Sequence, residues 1–170
     1  MKGVIKRFPH GTVAGLSAKA ASSPRLRQHL NLHESFDDPC QRLLNAIEPG
    51  SYIRPHRHAS DPKDELLVVL KGSLLLFAFS ERGVVEDVMP LCSRSRGTYG
   101  FIGIEVPADV WHTVLAVEPG SVLLEVKAGP FNPSMPKDLA SWAPAEGTQD
   151  ATIYLQRLQS LAAQSVSDSG

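Results

Sequence analysis

The stretch "GSYIRPHRHASDPKDELLVVLKG", residues 50–72, says most about the fold of this chain. Two glycines frame it, and it leads into an apolar run typical of a β-strand. Because strand side chains alternate between faces, His56 and His58 point the same way. Arg54 and Tyr52 share that face. A face this polar is unusual toward a protein interior, and it indicates a polar cavity or a metal site.

Length and composition limit the possible functions. The chain has 170 residues and a formal net charge of −1, which fits one domain and gives no basic surface for nucleic acid or an anionic membrane. Cys40 and Cys92 form no disulfide framework and indicate free thiols in a reducing compartment. No apolar run has the length of a signal peptide or a membrane span, so we expect a cytoplasmic protein.

The middle of the chain has the pattern of a β protein. Short apolar runs separated by two- to five-residue turns predict eight or nine strands between residues 41 and 130. No helical crossover is available between them, so the sheets should be antiparallel, as in an all-β sandwich or barrel. Residues 93–100 are the one loop-like gap in this region.

The two ends of the chain have other patterns. Residues 1–40 should form a helical and extended segment that packs on the barrel, with a helix within 14–28 that Pro24 ends or interrupts. In residues 131–170, a Pro-rich stretch should wrap the surface without joining a sheet. An amphipathic helix should then follow, with these side chains near one face: Ile153, Leu155, Leu158 and Leu161.

A second polar cluster lies downstream, in "EVPADVWHTVLA", residues 105–116. Its His112 begins another strand after a Pro-containing turn, which gives three imidazoles and one carboxylate together with His56, His58 and Glu65. Such donors suit one divalent ion of Fe, Mn, Ni, Cu or Zn. An octahedral ion would keep two positions open, which is typical of a catalytic site more than a structural one.

These residues resemble the two sequence motifs of the cupin family. Gly50 and Gly72 frame the first motif around the two histidines and Glu65, with a longer gap than usual before the glutamate. In the second motif Pro107 and His112 have the required separation, although the turn glycines are replaced. The resemblance implies a jelly-roll barrel whose metal ligands are His56, His58, Glu65 and His112.

A narrower resemblance covers roughly residues 15–147. "SPRLRQHLNLHESFDDPCQRLLNAIEPGSYIRPHRH", "WHTVLAVEPGSVLLEVKAGPF" and "KDLASWAPAEG" are similar to the WbuC family of cupin metalloproteins. That family is associated with bacterial surface-polysaccharide gene clusters. The resemblance therefore implies a metal-binding cupin that acts on a small polar or anionic carbohydrate-type metabolite, but it supplies no reaction.

Several residues near the histidines are candidates for substrate contact. Arg54 could bind an anionic group and take part in catalysis, or it could pair with a carboxylate such as Glu48 at the barrel mouth. Glu65 is a candidate for proton transfer as well as a ligand. Tyr52 could contact substrate or simply pack. Glu125 and Lys127 share one strand face and could be cavity acid/base groups, with Lys127 also a candidate for substrate binding. The preferred interpretation is a solvated cross-strand pair.

Three further polar residues, His29, Asn31 and His33, share one face of their segment. They could line the cavity entrance if that segment is an added edge strand, or they could form a solvated surface row. Trp111 faces away from His112 and should be a core or interface residue.

The sequence leaves the type of function open. A redox-silent ion fits isomerase or epimerase chemistry on a small carbohydrate, and Fe(II) fits a dioxygenase. The same centre could also serve a non-catalytic binding or sensor protein, since one fold hosts many functions. Exposed sheet edges and an apolar helix face favour a homodimer.

Overall fold

The structure is a computed structural model that describes residues 4–94 and 100–167, with side chains described as far as residue 163. Most of the loop predicted at 93–100 lies outside these residues. In chain order the elements are α1 (His10–Ser22), β1 (Arg27–Asn31), β2 (Cys40–Ile47), β3 (His56–Arg57), β4 (Glu65–Lys71), β5 (Ser73–Phe79), β6 (Val85–Cys92), β7 (Gly103–Val106), β8 (Trp111–Ala116), β9 (Ser121–Ala128), β10 (Asp138–Leu139) and α2 (Gln149–Ser167).

The strands form two five-stranded sheets that face each other. Sheet A has the order β1-β2-β9-β4-β7, and sheet B has the order β10-β3-β8-β5-β6. Neighbouring strands are antiparallel throughout both sheets. This is the cupin jelly-roll fold, with a helix from each end of the chain added to the barrel.

Three apolar clusters hold these layers together. The cluster between the sheets consists of Ile47, Leu67, Val69, Leu74, Leu76, Leu91, Val106, Val114 and Leu123. On the outer face of sheet A, α1 packs through Leu16 and Ala20 against Leu44 and Val122. The outer face of sheet B is covered by α2, and the main contacts there are Phe77, Phe79, Trp111, Leu155 and Leu158.

Because side chains alternate along β8, a candidate metal ligand faces one side of sheet B and residues packed beneath α2 face the other. Trp111 and Leu115 pack in the cluster beneath α2, whereas Val114 belongs to the cluster between the sheets. His112 has the same parity as Val114 and therefore faces the barrel interior. The expectation that Trp111 is a core residue is confirmed by this packing.

The structure corrects two predictions about the flanking segments. The Pro-rich stretch does join a sheet, because Asp138 and Leu139 form β10 and pair with Arg57 and His56 of β3. In α2, Leu155 and Leu158 are buried as expected, but Ile153 is 57% exposed and lies away from the packed face. The N-terminal segment also contributes a strand, since β1 is the edge of sheet A.

No helix in residues 4–94 and 100–167 is both long and apolar enough to cross a membrane.

Of the two glycines that frame the first cupin-like motif, Gly72 occupies a position where only glycine fits. Gly72 has a φ of +79°, and a Cβ there would lie 2.3 Å from Ser121 Oγ and 2.9 Å from Ser121 Cα. Gly147 has a similar φ of +81° but nothing within 4 Å. We therefore expect Gly72→Ala to lower the free energy of unfolding by about 2 to 4 kcal/mol, from strain plus collision.

The matched variant Gly147→Ala should cost only about 1 to 2 kcal/mol, because it carries the backbone strain alone. Urea unfolding of both variants, compared with wild type, measures the difference. Equal losses in the two variants would show that the contact with Ser121 contributes nothing.

Candidate metal centre

The metal-binding residues come from both sheets and meet at one end of the barrel. His56 lies on β3 and pairs directly with His112 on β8 in sheet B. His58 follows β3, and its backbone N–H donates to Ala108 O at 2.8 Å. Glu65 begins β4 in sheet A. One donor atom from each of His56, His58, Glu65 and His112 can be chosen so that all lie within 4.8 Å of one another.

Backbone carbonyls fix the orientation of two of the imidazole rings. His56 Nδ1 lies 3.0 Å from Arg54 O, and His112 Nδ1 lies 2.9 Å from Val110 O. Since a carbonyl only accepts, each Nδ1 carries the hydrogen and each Nε2 keeps its lone pair. This outer-shell arrangement is typical of histidines that bind a metal through Nε2.

His58 has a buried nitrogen with no hydrogen-bond partner. Its Nε2 lies only 2.9 Å from Glu65 Oε1, yet the two atoms are not aligned for a hydrogen bond and the nitrogen remains unsatisfied. An unpaired polar atom in a buried site is costly. A divalent cation between these atoms would satisfy both the nitrogen and the carboxylate.

The protonation states also fit a cation. Burial lowers the pKa of His56 well below its ordinary value, which keeps that imidazole neutral. Burial favours a neutral Glu65, but contacts with His112 and His58 and the charge of Lys127 outweigh it and hold the pKa of Glu65 well below its usual range. Neutral nitrogens with one carboxylate form the donor set expected for a divalent first-row ion. The residues present therefore fit a divalent metal site.

A buried ionic network extends from this centre along sheet A. Lys127 Nζ donates to Glu65 Oε1 at 2.8 Å and lies 2.9 Å from Glu125 Oε1. Asn45 Nδ2 donates to Glu125 Oε2 at 2.7 Å. Burial opposes a charged lysine, but the charges of Glu125 and Glu65 raise the pKa of Lys127. Burial and the nearby Glu65 charge raise the pKa of Glu125.

The network lines a cavity of about 500 Å³ that opens beside the metal-binding residues. Its walls combine polar groups of sheet A with apolar side chains from both sheets, and the lining also includes basic residues and part of the Pro-rich segment. The lining includes Asn45, Ile47, Ile53, His56, His58, Glu65, Leu67, His112, Val114, Leu123, Glu125, Lys127 and Lys137. A volume of this size suits one small metabolite.

The structure changes the interpretation of Glu125 and Lys127. The preferred reading from sequence was a solvated pair, but their side chains are only 14% and 12% exposed and both line the cavity. The alternative reading, cavity acid and base groups, agrees with their placement. Asn45 was missed, although its position two residues before Ile47 on the same strand face carries a period-two signal.

Two residues expected at the cavity lie elsewhere. The guanidinium of Arg54 turns onto the carbonyl of Ala140, with Nη2 at 2.6 Å and Nε at 3.1 Å, and Arg54 is not among the cavity-lining residues. Tyr52 is 8% exposed, packs in the cluster beneath α2 and donates to Pro144 O at 2.8 Å. Arg54 therefore does not line the cavity, and Tyr52 follows the packing alternative, because residues 52–54 precede β3 and do not continue its alternation.

The alternative partner suggested for Arg54 is also absent. Glu48 instead accepts two contacts from the backbone N–H of Gly120, at 3.0 and 2.9 Å. That bond fixes the turn between β8 and β9. Arg54 therefore serves the backbone of the Pro-rich segment, and Glu48 serves a turn.

The polar row of the N-terminal segment divides between two roles. β1 is an added edge strand, and His29 on it lines the cavity mouth. His33 is buried and its Nδ1 lies 3.0 Å from the backbone N of Arg42, so it holds the end of β2. Asn31 is exposed and is not among the cavity-lining residues. Of the three residues, His29 therefore lies where the edge-strand hypothesis predicted.

The second motif forms its turn without the usual glycines. The backbone N–H of Val110 donates to Pro107 O at 3.1 Å, which closes the turn before β8. Leu26 is the only residue other than glycine with a positive φ in the described part of the chain. Asp109 therefore occupies its turn position without left-handed strain, and the replacement leaves His112 correctly placed.

Ion pairs brace the cavity rim. Glu146 Oε2 lies 2.8 Å from Arg25 Nη2 and 2.7 Å from Arg27 Nη2. Burial opposes ionisation of Glu146, but the hydrogen bonds and charges of Arg25 and Arg27 lower its pKa to about 2. A carboxyl whose pKa falls on folding stabilises the protein above its unfolded pKa, and that stability is lost as pH drops toward the folded pKa.

We therefore expect wild type to exceed Glu146→Gln in unfolding free energy at neutral pH, by up to about 1 kcal/mol for a partly exposed pair. The difference should shrink as pH falls from about 4.5 to about 2. Paired urea titrations at several pH values measure it. A difference that stays constant across this range would mean that the Glu146 charge does not contribute.

Comparison with known proteins gives a fold but no activity. A family described as "Domain of unknown function (DUF6016)" matches residues 9–91, a range that contains His56, His58 and Glu65 but not His112. No curated protein matches the sequence. Protein SO0799 from Shewanella oneidensis is similar in structure, with a TM-score of 0.51, 14% identity, and coverage of 65% of this chain and 72% of that chain.

Two other solved structures show weaker likeness. KdgF from Halomonas sp. has a TM-score of 0.48 and 18% identity, with coverage of 67% of this chain and 88% of that chain. Bacillus subtilis oxalate decarboxylase, solved in a study of its Mn(II) centres, has a TM-score of 0.49 and 15% identity, with coverage of 66% and 27%. By its two sheets this chain has a cupin-type fold, and its ligand set fits one divalent metal ion.

Proposed function

We propose that this protein is a metal-dependent enzyme that acts on a small polar or anionic carbohydrate-type metabolite by isomerase or epimerase chemistry. The observation that carries the proposal is the juxtaposition of the metal-binding residues with a buried carboxylate that lines the same cavity and is not a ligand, Glu125. Together they offer a site for substrate oxygens and a separate group for a proton.

A divalent ion, when bound, would polarise a carbonyl or hydroxyl of the substrate and stabilise the negative charge that develops on its oxygen. The chain's own residues prepare the rest of the site. Asn45 and Lys127 hold the two oxygens of Glu125 from two sides. This fixes the carboxylate against the cavity wall, where it is placed to accept a proton from substrate carbon or return one.

The apolar walls complete the site. Ile53, Leu67 and Val114 line the cavity and limit the water that reaches it, which strengthens the polar interactions inside. An open, hydrated basin would suit a protein that only stores a metal. A partly apolar cavity of about 500 Å³ suits a protein that surrounds a metabolite.

The cellular setting is part of the same proposal. The WbuC-like stretches support a place in bacterial surface-polysaccharide biosynthesis, and the free Cys40 and Cys92 are consistent with a reducing cytoplasm. We also propose that the active form is a homodimer, since exposed apolar side chains such as Leu66 and Leu70 of β4 remain on sheet A. Light scattering over a range of protein concentrations measures the mass.

The proposed chemistry predicts exchange of carbon-bound hydrogen with solvent. Metal-loaded protein is incubated in D₂O with a panel of sugars, sugar acids and sugar phosphates, and NMR records deuterium at carbons next to a carbonyl. Exchange with at least one compound is expected, and Glu125→Gln should abolish it while metal content stays unchanged.

Two other results would replace this function with another. Binding of a panel member without any exchange or conversion would indicate a sensor or binding protein. Oxygen consumption that depends on Fe(II) and substrate would indicate the dioxygenase. Exchange that persists in the Glu125→Gln variant would reject the role of that carboxylate.

A further inference from the structure

We propose that Lys137 forms a second subsite in the cavity, which binds a carboxylate or phosphate at the end of the ligand that does not bind the metal. This inference rests on the proposed function and names the substrate class more closely: a polyhydroxylated compound with one oxygen-donor end for the metal and an oxyanion at the other end. From the sequence alone, Arg54 is a candidate for the anion-binding role.

Lys137 lines the cavity, where the charges of Glu125 and Glu65 act on it without a hydrogen bond or ion pair among the described residues. It lines the main cavity and a smaller pocket beside it that also includes His58 and Lys127. Within the described part of the chain it makes no hydrogen bond or ion pair, whereas Arg25 and Arg27 at the same rim are bound to Glu146. An unpaired cation beside a cavity is available to a ligand.

The segment that carries Lys137 is held rigidly against the metal-bearing strand. Directly after it, β10 pairs with β3, so that Leu139 lies opposite His56. Asp138 accepts hydrogen bonds from the backbone and hydroxyl of Ser60. The backbone N–H of Ala140 donates to Pro55 O at 3.0 Å, and its carbonyl accepts Arg54. Arg54 is therefore a positioning residue for this segment.

The charges around the cavity favour an anionic ligand. Inside it, Lys127 stands between Glu65 and Glu125, so these three groups carry a net charge of −1. With Glu125 ionised and Lys137 protonated, a divalent cation brings the total to +2. A low-dielectric cavity with this excess favours a ligand that carries negative charge at both ends.

Isothermal titration tests the subsite with three related probes: gluconate, glucarate and 6-phosphogluconate. All offer the same hydroxy-acid end, and the last two add a carboxylate or a phosphate at the far end. With the protein loaded with the divalent ion that elemental analysis finds, we expect at least one of these two to bind about tenfold to a hundredfold more tightly than gluconate, as for one charge-assisted hydrogen bond. Which one gains more distinguishes a sugar diacid from a sugar-acid phosphate.

Lys137→Met should remove that advantage and leave gluconate binding and metal content unchanged, and Lys137→Glu should reverse it. Lys19→Met is the matched control, since Lys19 is exposed on α1 and is not among the cavity-lining residues. Equal binding of the three probes, no binding of any of them, or an advantage that survives Lys137→Met would overturn the subsite. The deuterium-exchange experiment tests the proposed function separately, whichever way this one turns out.

Discussion

Replacing both His58 and His112 with alanine should reduce bound metal from near one ion per chain to less than about a tenth, measured by elemental analysis of the purified protein. Loss of a single outer-shell partner already weakens metal binding about 10- to 100-fold, so loss of two ligands should exceed that. The four candidate donors are His56, His58, Glu65 and His112, and the double variant leaves only two of them.

The same variant should lose stabilisation by metal. A ligand that binds only the folded state adds about 4 kcal/mol to the unfolding free energy at a thousand times its dissociation constant. Wild type should therefore melt at a higher temperature with metal than with chelator, and the double variant should melt at the same temperature in both.

His29→Ala is the matched control for this experiment. His29 lines the mouth of the same cavity but lies outside the ligand cluster, so the variant should retain its metal and its metal-dependent melting. Full metal content in the His58→Ala, His112→Ala protein would reject the site. Loss of metal from His29→Ala to the same extent would show that histidine content, not the cluster, controls binding.

The ligand positions could be predicted because they depend on local rules. The period of two predicts His56 and His58 on one side, and the motif spacing connects them to Glu65 and His112. The structure joins these local predictions through the pairing of His56 with His112 across sheet B. The cupin-type fold and the site thus follow from the same short stretches of sequence.

The position of Arg54 could not be predicted by the same rule. β3 contains only His56 and Arg57, and the preceding Pro55 lacks a backbone N–H for a ladder bond. Alternation therefore stops before Arg54, whose guanidinium is free to reach Ala140 on the Pro-rich segment. The two residues of that contact are far apart in sequence, and no pattern around Arg54 indicates it.

The sequence identified the shared face of Glu125 and Lys127 but not their burial. Leu123 of β9 packs in the core between the sheets, and Glu125 and Lys127 continue the same face toward the metal end. Whether a charged strand face is solvated depends on the opposing sheet, which single-strand patterns do not encode. No strand pattern around Lys137 indicated that it lines the cavity, since its position follows from the pairing of β10 with β3.

Lys127→Met should strongly destabilise the metal-free protein. The side chain of Lys127 is 12% exposed and contacts Glu65 and Glu125, whose side chains are 5% and 14% exposed. Without the lysine, two buried carboxyl groups face each other with no cation between them. Removing one partner of a buried ion pair costs about 3 to 5 kcal/mol, so urea unfolding in the presence of chelator should shift by that amount.

Two comparisons separate the charge effect from loss of packing. Glu125→Gln in the Lys127→Met background should recover part of the lost stability, because it removes one uncompensated charge while preserving shape and the bond to Asn45. Added divalent metal should stabilise Lys127→Met more than wild type, since a cation at Glu65 replaces part of the missing positive charge. A Lys127→Met protein that unfolds within about 0.5 kcal/mol of wild type, or a double variant that is less stable than Lys127→Met, would show that the ionic network does not stabilise this end of the barrel.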